Sequence, residues 1–383
     1  GSFQASKTSI VYGVLATTTT NDKNQTRRED KNLEGKVILV TDNLGAQVAH
    51  QHDAFGNLVA TKDALQNTIT IAYDQRGRKV SMNDPDTGLW TYNYNALGEL
   101  VWQQSANQRV LAQVTTMTYD LLGRMTSRTE PEGVSTWYYD RNADASYCMD
   151  GSVSTRGAGK LCGSSTSTGI NRKVVYDNLG RPYNSRTTVT NGPSFASALA
   201  YDATNGRTIS QTYPSGLKVN YNYTTNGFLS SLTTGTTTTG VPLALNSTLW
   251  SAQTYNAWGK AEQQTYGNGV INRANFDAMT GRLTNASAGL GTATDVLGQR
   301  YVWDSLSHLM QRDDQNGAGS AQAVSDVYTY DGIGRLQGYA VSSAAIPNLS
   351  HTVSLQYNAA GMILYKSDVG IYSYGAQGAG RAH

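Results

Sequence analysis

A short tyrosine–aspartate turn recurs along the chain and constrains the fold more than any other feature. The stretch "VVYDNLGRPYNSRT" at 174–187 shows it, and close copies read "IAYDQRGRKVS" from 71, "MTYDLLGRMTS" from 117 and "YTYDGIGRLQG" from 328. Successive copies begin roughly 21 to 27 residues apart, a period typical of repeat proteins. This spacing predicts one repeat architecture rather than the two or three domains that 383 residues would suggest.

The local chemistry of the repeat predicts β-hairpins. The aspartate can bond the backbone two residues on, and the glycine can adopt a positive φ, so together they predict a type I turn with a bulge at glycine. Flanking segments such as "NTITIAYD" and "LKVNYNY" alternate in polarity as strands do. A second glycine turn, such as "EPEG" at 130–133, falls midway in many repeats. The predicted fold class is all-β, an array of hairpins without helical periodicity.

The turn residues are predicted to be structural. The arginine after the glycine can pair with the aspartate, which in the open stabilises a turn by at most about 1 kcal/mol, or can stack on a neighbouring tyrosine. A catalytic site repeated in every turn would be physically odd, so we interpret the motif as a turn module. The residues concerned are Tyr73, Asp74, Gly77, Arg78, Tyr119, Asp120, Gly123, Arg124, Tyr176, Asp177, Gly180, Arg181, Tyr330, Asp331, Gly334 and Arg335.

Composition narrows the functional classes. Lys and Arg total 30 against 28 Asp and Glu, a formal charge of +2. This near-neutral balance does not indicate nucleic-acid binding, which needs clustered basic residues. The 24 tyrosines against 5 phenylalanines favour a sheet that is wet on at least one face, because a tyrosine hydroxyl needs a polar partner. The chain has no apolar run of spanning length and no phosphate-cradling loop, so we predict neither a transmembrane segment nor a cofactor.

The turns "VYDNLGR", "TYDLLGR" and "TYDGIGR" resemble the RHS/YD-repeat family, and the resemblance runs from about Thr41 to Tyr374. Members include bacterial Rhs polymorphic toxins, the C component of Tc toxins, wall-associated proteins and the teneurin extracellular shell. The resemblance implies a β-sheet that spirals into an at least partly hollow shell. In toxin members that shell encloses a C-terminal effector. It also implies a bacterial protein that is secreted or displayed at the cell surface.

The domain organisation expected from this resemblance is a polar N-terminal segment at 1–35 and a single YD-repeat shell domain at 36–383. We expect "TTTTNDKNQTRREDKN" at 17–32 to be a loop or a mobile start. Toxin-type members end their core with a signature near Asp-Pro-x-Gly-Leu, and this chain has no such stretch. We therefore expect neither protease nor effector here, and we expect a missing C-terminal region or a toxin cargo as partner.

An irregular segment at 141–171 holds the only two cysteines, Cys148 and Cys162. We interpret it as a loop insertion into the repeat array. A disulfide would close a loop of about 15 residues and stabilise it by roughly 3 kcal/mol in the entropic model. Two free thiols remain an alternative, and a metal site is disfavoured because no histidine is near. A disulfide would favour an extracytoplasmic setting.

Two histidines stand at repeat positions and are the candidate catalytic residues. His52 replaces the tyrosine of a turn, and His308 in "WDSLSHL" replaces the arginine. A histidine on a divergent repeat can act as a general base, whereas ordinary repeat drift explains the same substitutions without chemistry.

Three functions are compatible with the sequence. The first is a non-catalytic shell segment that encloses or displays another polypeptide. The second is a module that binds glycans or a cell-surface receptor, since weakly charged aromatic β surfaces suit sugar rings, although cross-strand packing explains the same aromatics. The third is a polysaccharide lyase or hydrolase that uses the two histidines. The tryptophans relevant to the second are Trp90, Trp102, Trp137, Trp250, Trp258 and Trp303.

Overall fold

The computed structural model describes residues 7–141, 159–235, 244–291, 294–315, 323–343 and 346–374. Over these ranges it contains 31 β-strands, one short α-helix and one 3₁₀ turn. The first part of the chain forms β1 (Ser9–Tyr12), β2 (Ala16–Thr20), β3 (Thr26–Lys31), β4 (Val37–Thr41), β5 (Gln47–His52), β6 (Leu58–Lys62), β7 (Thr68–Tyr73), β8 (Lys79–Asp84), β9 (Gly88–Tyr94), β10 (Leu100–Gln104), α1 (Ala106–Val110), β11 (Thr115–Tyr119), β12 (Met125–Glu130), β13 (Gly133–Tyr139), β14 (Leu161–Thr166) and β15 (Ile170–Tyr176).

The strands after β15 follow the same pattern of short segments joined by tight turns. They are β16 (Pro182–Val189), β17 (Ser194–Tyr201), β18 (Thr208–Thr212), β19 (Lys218–Tyr223), β20 (Leu229–Thr234), β21 (Thr248–Tyr255), β22 (Ala261–Tyr266), β23 (Val270–Phe276), β24 (Leu283–Leu290), β25 (Leu297–Trp303), β26 (Leu309–Asp314), β27 (Val324–Tyr330), β28 (Leu336–Ser343), the 3₁₀ turn Pro347–Leu349, β29 (His351–Tyr357), β30 (Ile363–Lys366) and β31 (Gly370–Ile371).

The chain divides into two compact units. Unit 1 comprises Gly1–Asn93, Gln104–Leu111 and Ala274–His383, and unit 2 comprises Tyr94–Gln103 and Ala112–Arg273. In unit 1, each strand from β1 to β9 pairs antiparallel with the next along the chain, and so does each strand from β24 to β31. The described pairings of unit 2 follow the same rule from β10 to β23. The predicted all-β hairpin array is confirmed.

Sequential antiparallel pairing places the turns alternately on two edges of each sheet. The anchor is the tyrosine directly before the aspartate of each repeat, or the residue that replaces it. We call the turns that follow an anchor the YD turns. The turns on the other edge, such as 21–25, 42–46 and 63–67, are the opposite-edge turns. At most YD turns the pairing register shifts by one residue at the anchor, as between Thr118 and Tyr119, which is a β-bulge.

The YD turn at 119–124 shows how four residues reverse the chain. Asp120 Oδ1 accepts the backbone N–H groups of Leu122 and Arg124, at 2.9 and 3.0 Å. The N–H of Gly123 donates to the carbonyl of Asp120, and Gly123 adopts a φ of 75°. The aspartate therefore satisfies the backbone donors inside the turn, and glycine takes the left-handed conformation that other residues resist.

The sheets carry little fully buried apolar surface. Among the described residues, the buried hydrophobic side chains are Met117, Cys162, Val219, Ala288, Val353 and Leu355. Most strand residues are half-buried instead. Backbone hydrogen bonds and side-chain contacts between neighbouring strands therefore stabilise these sheets more than a packed apolar interior does.

The expectation of a loop at 17–32 is wrong. β2 and β3 occupy most of that segment and pair with each other from Ala16–Asp30 to Thr20–Thr26. The four threonines of β2 are β-branched and favour strand, and the charged residues of β3 are neutralised locally, because Arg28 Nη2 lies 2.6 Å from Asp30 Oδ1. The boundary predicted at residue 35 remains a prediction.

Two further segments differ from the sequence interpretation. The segment 141–171 is strand from Leu161, since β14 pairs with β13 and β15, whereas residues 142–158 lie outside the described part of the chain. The helix α1 was not predicted because five residues show no periodicity. Its capping box was nevertheless visible in the sequence, since Ser105 and Gln108 bond each other's backbone N–H. Among the helices described, none is long and apolar enough to cross a membrane.

Replacing Ser307 with glycine should stabilise the protein. Ser307 stands at the glycine position of a YD turn and adopts a φ of 74°, which costs a non-glycine residue about 1 kcal/mol. We expect Ser307→Gly to raise the free energy of unfolding by about that amount, measured by urea denaturation. The reverse change, Gly35→Ser, is the matched control, because Gly35 has a φ of 79° and open space around it. It should destabilise, and equal stabilities for all three proteins would contradict the strain at Ser307.

Candidate functional site

The anchor tyrosines join each YD turn to the one before it. The hydroxyl of Tyr119 donates to the carbonyl of Leu100 at 2.9 Å, and Leu100 lies two residues after the glycine of the preceding YD turn. The same relation repeats at distances of 2.6–3.0 Å along both units. The donors are Tyr73, Tyr176, Tyr201, Tyr223, Tyr330, Tyr357 and Tyr374, with Leu58, Leu161, Pro182, Thr208, Leu309, Leu336 and Ile363 as acceptors.

In several intact turns the arginine completes this link. Arg124 Nε donates to Asp120 Oδ2 at 2.7 Å, and its guanidinium carbon lies 4.5 Å from the ring centre of Tyr139, the next anchor. Arg181 lies 4.3 Å from Tyr201 in the same way. Each of these anchor rings therefore lies against a cation that the preceding aspartate holds in place. We call this repeated set of contacts the turn ladder.

The electrostatics of the turn ladder keep its tyrosine hydroxyls protonated and its aspartates charged. Burial raises the pKa of the Tyr119 and Tyr330 hydroxyls, so both stay neutral donors. The pKa of Asp120 is lowered, first because the Arg124 guanidinium donates to it and also because backbone N–H groups do, while partial burial acts in the opposite direction. The other turn aspartates with a lowered pKa are Asp53, Asp74, Asp140, Asp177, Asp202, Asp277, Asp304 and Asp331.

The candidate His308 makes the contacts that arginine makes in intact turns. Its Nδ1 lies 2.9 Å from Asp304 Oδ2, and its ring stacks on the anchor Tyr330 with centres 4.7 Å apart. In the same turn Trp303 replaces the anchor tyrosine, and its Nε1–H donates to the carbonyl of Leu283 at 2.6 Å. Substituted residues therefore reproduce the ladder geometry with different atoms.

The candidate His52 stands at an anchor position where no ladder bond is made. Its Nδ1 is buried and has no hydrogen-bond partner among the described residues. A histidine is shorter than a tyrosine, so it does not bring a donor to the carbonyl two residues after the preceding turn glycine. Within the described part of the chain no hydrogen bond or ring contact joins His52 to His308, and a catalytic role for either residue remains a prediction.

The turn that begins at Asp140 keeps the ladder although its chain is much longer. The N–H of Asp140 donates to the carbonyl of Lys160 at 3.0 Å, and the N–H of Gly159 donates to Asp140 Oδ1. Lys160 Nζ then lies 5.8 Å from the ring centre of Tyr176. The Gly-Lys pair at 159–160 is thus the delayed counterpart of Gly-Arg, a signal that sequence reasoning missed.

The remaining candidates are dispersed over the two units. Of the six tryptophans only Trp258, at the tip of a YD turn, is exposed, at 58%. Cys162 is fully buried, and its predicted partner Cys148 lies outside the described residues, so the disulfide remains a prediction. Over the described ranges, no group of three or more His, Cys, Asp or Glu side chains is placed to hold a metal ion.

Comparison with known proteins identifies the fold. No family model and no curated protein sequence matches the chain. The crystal structure of TcdB2-TccC3 without its hypervariable C-terminal region matches with a TM-score of 0.71 and 14% identity, over 93% of this chain and 21% of that one. TcdB2-TccC3-Cdc42 matches with a TM-score of 0.70 and 15% identity, over 92% and 21%.

The Tc holotoxin pore of Photorhabdus luminescens carrying TccC3-D651A also matches, with a TM-score of 0.70 and 14% identity, over 93% of this chain and 21% of that one. The chain therefore has the fold of part of these Tc toxin structures. It spans about a fifth of their length. At this level of identity the likeness concerns the fold alone.

Removing one ladder hydroxyl should destabilise the sheet measurably. Tyr330→Phe deletes the bond to the Leu309 carbonyl, and the loss of such a bond typically costs about 1 kcal/mol. We expect that decrease in the free energy of unfolding, measured by urea denaturation. Tyr12→Phe is the control because Tyr12 is 76% exposed, and it should have little effect. Similar losses in both variants would show that the hydroxyl contact is not what matters.

Stability should fall in acid because the turn aspartates have lowered pKa values in the folded protein. Such groups contribute stability that is present above their unfolded pKa, near 4, and that is lost as pH falls through the folded values. We expect the urea midpoint to fall steeply below about pH 4. The triple variant Asp74→Asn, Asp120→Asn, Asp177→Asn should show a shallower slope, since asparagine caps the same turn at Asn95 and Asn358. Identical slopes would contradict this origin.

Proposed function

We propose that the chain is a segment of β-sheet wall that encloses or displays another polypeptide and has no catalytic role of its own. The observation that carries this proposal is the fold shared with Tc toxin structures over more than nine-tenths of the chain. The turn ladder supports it, since nearly every conspicuous turn residue is used to hold one hairpin to the next. A wall needs such uniform contacts along its length, whereas a catalytic site needs a local departure from them.

We further propose membership of the RHS/YD-repeat family and a spiralling, partly hollow shell. The support lies in the repeated motif and in its repeated contacts, because one set of aspartate, glycine, arginine and tyrosine contacts recurs in both units. The similar structures include a TcdB2-TccC3 without its hypervariable C-terminal region, a TcdB2-TccC3-Cdc42 structure and a holotoxin pore. By analogy, the partner of this chain would be a C-terminal region or a toxin cargo.

A secreted or cell-surface, bacterial setting belongs to the same proposal. It rests on the fold likeness to Tc toxin components and on the predicted pairing of Cys148 with Cys162, which an oxidising compartment would allow. The contacts of His308 favour a structural substitution over a general base, so the enzyme hypothesis gains no support from them.

Protection of a fused polypeptide tests the enclosing function. A protease-sensitive reporter fused after His383 should survive a nonspecific protease with a half-life at least about tenfold longer than the free reporter, because the wall restricts access. The control is the same fusion with Tyr201→Phe, Tyr223→Phe and Tyr330→Phe, which weakens three ladder bonds and should shorten the half-life. Circular dichroism checks that each fusion is folded. Equal half-lives for the free and fused reporter would contradict enclosure.

A further inference from the structure

Within unit 1 a hairpin tip is docked in a groove between two YD turns. The turns 304–308 and 331–335 flank a groove that Lys23 and Gln25 of the opposite-edge turn 21–25 cover from outside, with about 320 Å³ of free space left between them. Lys23 Nζ forms an ion pair with Asp304 Oδ2, and Gln25 Nε2 donates to the carbonyl of Asp331 at 3.5 Å. The molecule therefore contains one occupied example of a tip-in-groove contact.

The docked tip is a turn of the same kind as those it meets. Asn21 Oδ1 accepts the N–H groups of Lys23 and Gln25, both at 3.0 Å, as aspartate does in the YD turns. Asn24 takes the left-handed position with a φ of 61°. Lys23 is consequently held at the outermost point of the hairpin, from which its ammonium group reaches across to the groove.

The absence of an arginine explains why Asp304 accepts this lysine. In intact turns the aspartate is paired with the arginine four residues on, as Asp331 is with Arg335 at 2.6 Å. The turn 304–308 has His308 instead, and the side chain of Asp304 is only 9% exposed. A buried carboxylate without its own guanidinium gains from an external cation, and the hairpin tip supplies one.

A second groove of this kind lies between the turns 53–57 and 74–78. It has a volume of about 420 Å³ and is lined by Asp53, Phe55, Asn57, Tyr73 and Arg76, among others. Its first turn also lacks arginine, because Asn57 occupies that position and donates to Asp53 Oδ2 at 2.9 Å. The other hydrogen bonds of this carboxylate come from backbone N–H groups of the same turn.

The tip of the same turn leaves apolar surface uncovered. Phe55 is 92% exposed, whereas Leu306, the corresponding tip residue beside the occupied groove, is half-buried. Phe55 therefore lies exposed beside a carboxylate that no arginine of its own turn pairs with.

We propose that the groove between turns 53–57 and 74–78 binds the tip of a β-hairpin from a second polypeptide. The tip carries a lysine at the middle of its turn, as Lys23 does, and its ammonium group pairs with Asp53. The flank of the bound hairpin covers Phe55. This proposal rests on the occupied groove within the same unit and does not depend on the enclosing function.

Two local differences define the expected partner more closely. Gln75 stands where Gly332 lies beside the occupied groove, and a side chain at Gly332 would meet Asn43 Nδ2 at 2.9 Å. In the occupied groove the next opposite-edge turn, 42–46, comes close to Gly332. The side chain of Gln75 prevents a second turn of a partner from coming as close, so the groove accepts a single hairpin tip. Arg76 also lines the groove, so its charge opposes the incoming lysine.

Titration with a hairpin peptide tests the proposal. The probe is residues 16–31 as a fluorescent peptide, closed by a disulfide between added terminal cysteines, and binding to the full chain is measured by anisotropy at low salt. We expect saturable binding that Asp53→Asn weakens about tenfold, since one charged pair is lost. A peptide with glutamine in place of its lysine should bind more weakly, and Arg76→Ala should bind the lysine peptide more tightly.

The controls separate recognition from folding. Asp177→Asn changes a turn aspartate that Arg181 already holds, so peptide affinity should not change. Phe55→Ala leaves the turn cap intact and should weaken binding independently of the charge. Unchanged thermal midpoints verify folding, and Phe55→Ala decides the matter if Asp53→Asn unfolds. No saturable binding up to about 1 mM, or equal affinities for the wild type and Phe55→Ala, would overturn the proposal.

Discussion

The structure depends on one hydrogen bond repeated along each sheet, from an anchor hydroxyl to a carbonyl in the preceding hairpin. The bonded residues lie 11 to 26 positions apart in sequence, from Tyr374 and Ile363 at one extreme to Tyr255 and Leu229 at the other. Phenylalanine would fill the same space without providing the donor, which explains why the anchor positions of this chain carry tyrosine far more often than phenylalanine. The abundance of tyrosine thus reflects a specific carbonyl acceptor for the anchor hydroxyl, in addition to the solvent exposure of the sheet.

Few side chains of the described residues are fully buried, so the stabilising contacts lie mostly between hairpins that are neighbours in sequence. The anchor rings of Tyr139, Tyr201 and Tyr357 lie against a guanidinium from the preceding turn, and an aspartate of that turn fixes the guanidinium. Damage to one turn should therefore affect adjacent hairpins most, because stability in such arrays is close to a sum of repeat and neighbour contributions. Substituted turns such as 303–308 show that the arrangement tolerates different atoms when the hydrogen-bond donor and a side-chain partner for the aspartate are kept.

Much of the fold and part of the site could be predicted from the sequence. The aspartate and glycine of a YD turn act through local backbone geometry, so Asp120 and Gly123 identify their turn without tertiary information. The acceptor of Tyr119 could not be predicted, because it depends on the strand register across a bulge. The ion pair between Lys23 and Asp304 could not be predicted either, since 281 residues separate the two in sequence. β2 and β3 were misjudged because their charge and threonine content is common to loops and exposed strands.

The long connection that begins at Asp140 shows what such a design permits. The Asp140 N–H donates to the carbonyl of Lys160, as the Asp120 N–H does to that of Arg124 in a short turn, and Gly159 donates to the Asp140 side chain. The flanking strands β13 and β14 stay paired. The length of a connection is therefore uncoupled from the register of the strands it joins. Evolution or an engineer can lengthen a loop at this edge and display new sequence there while the scaffold stays unaltered.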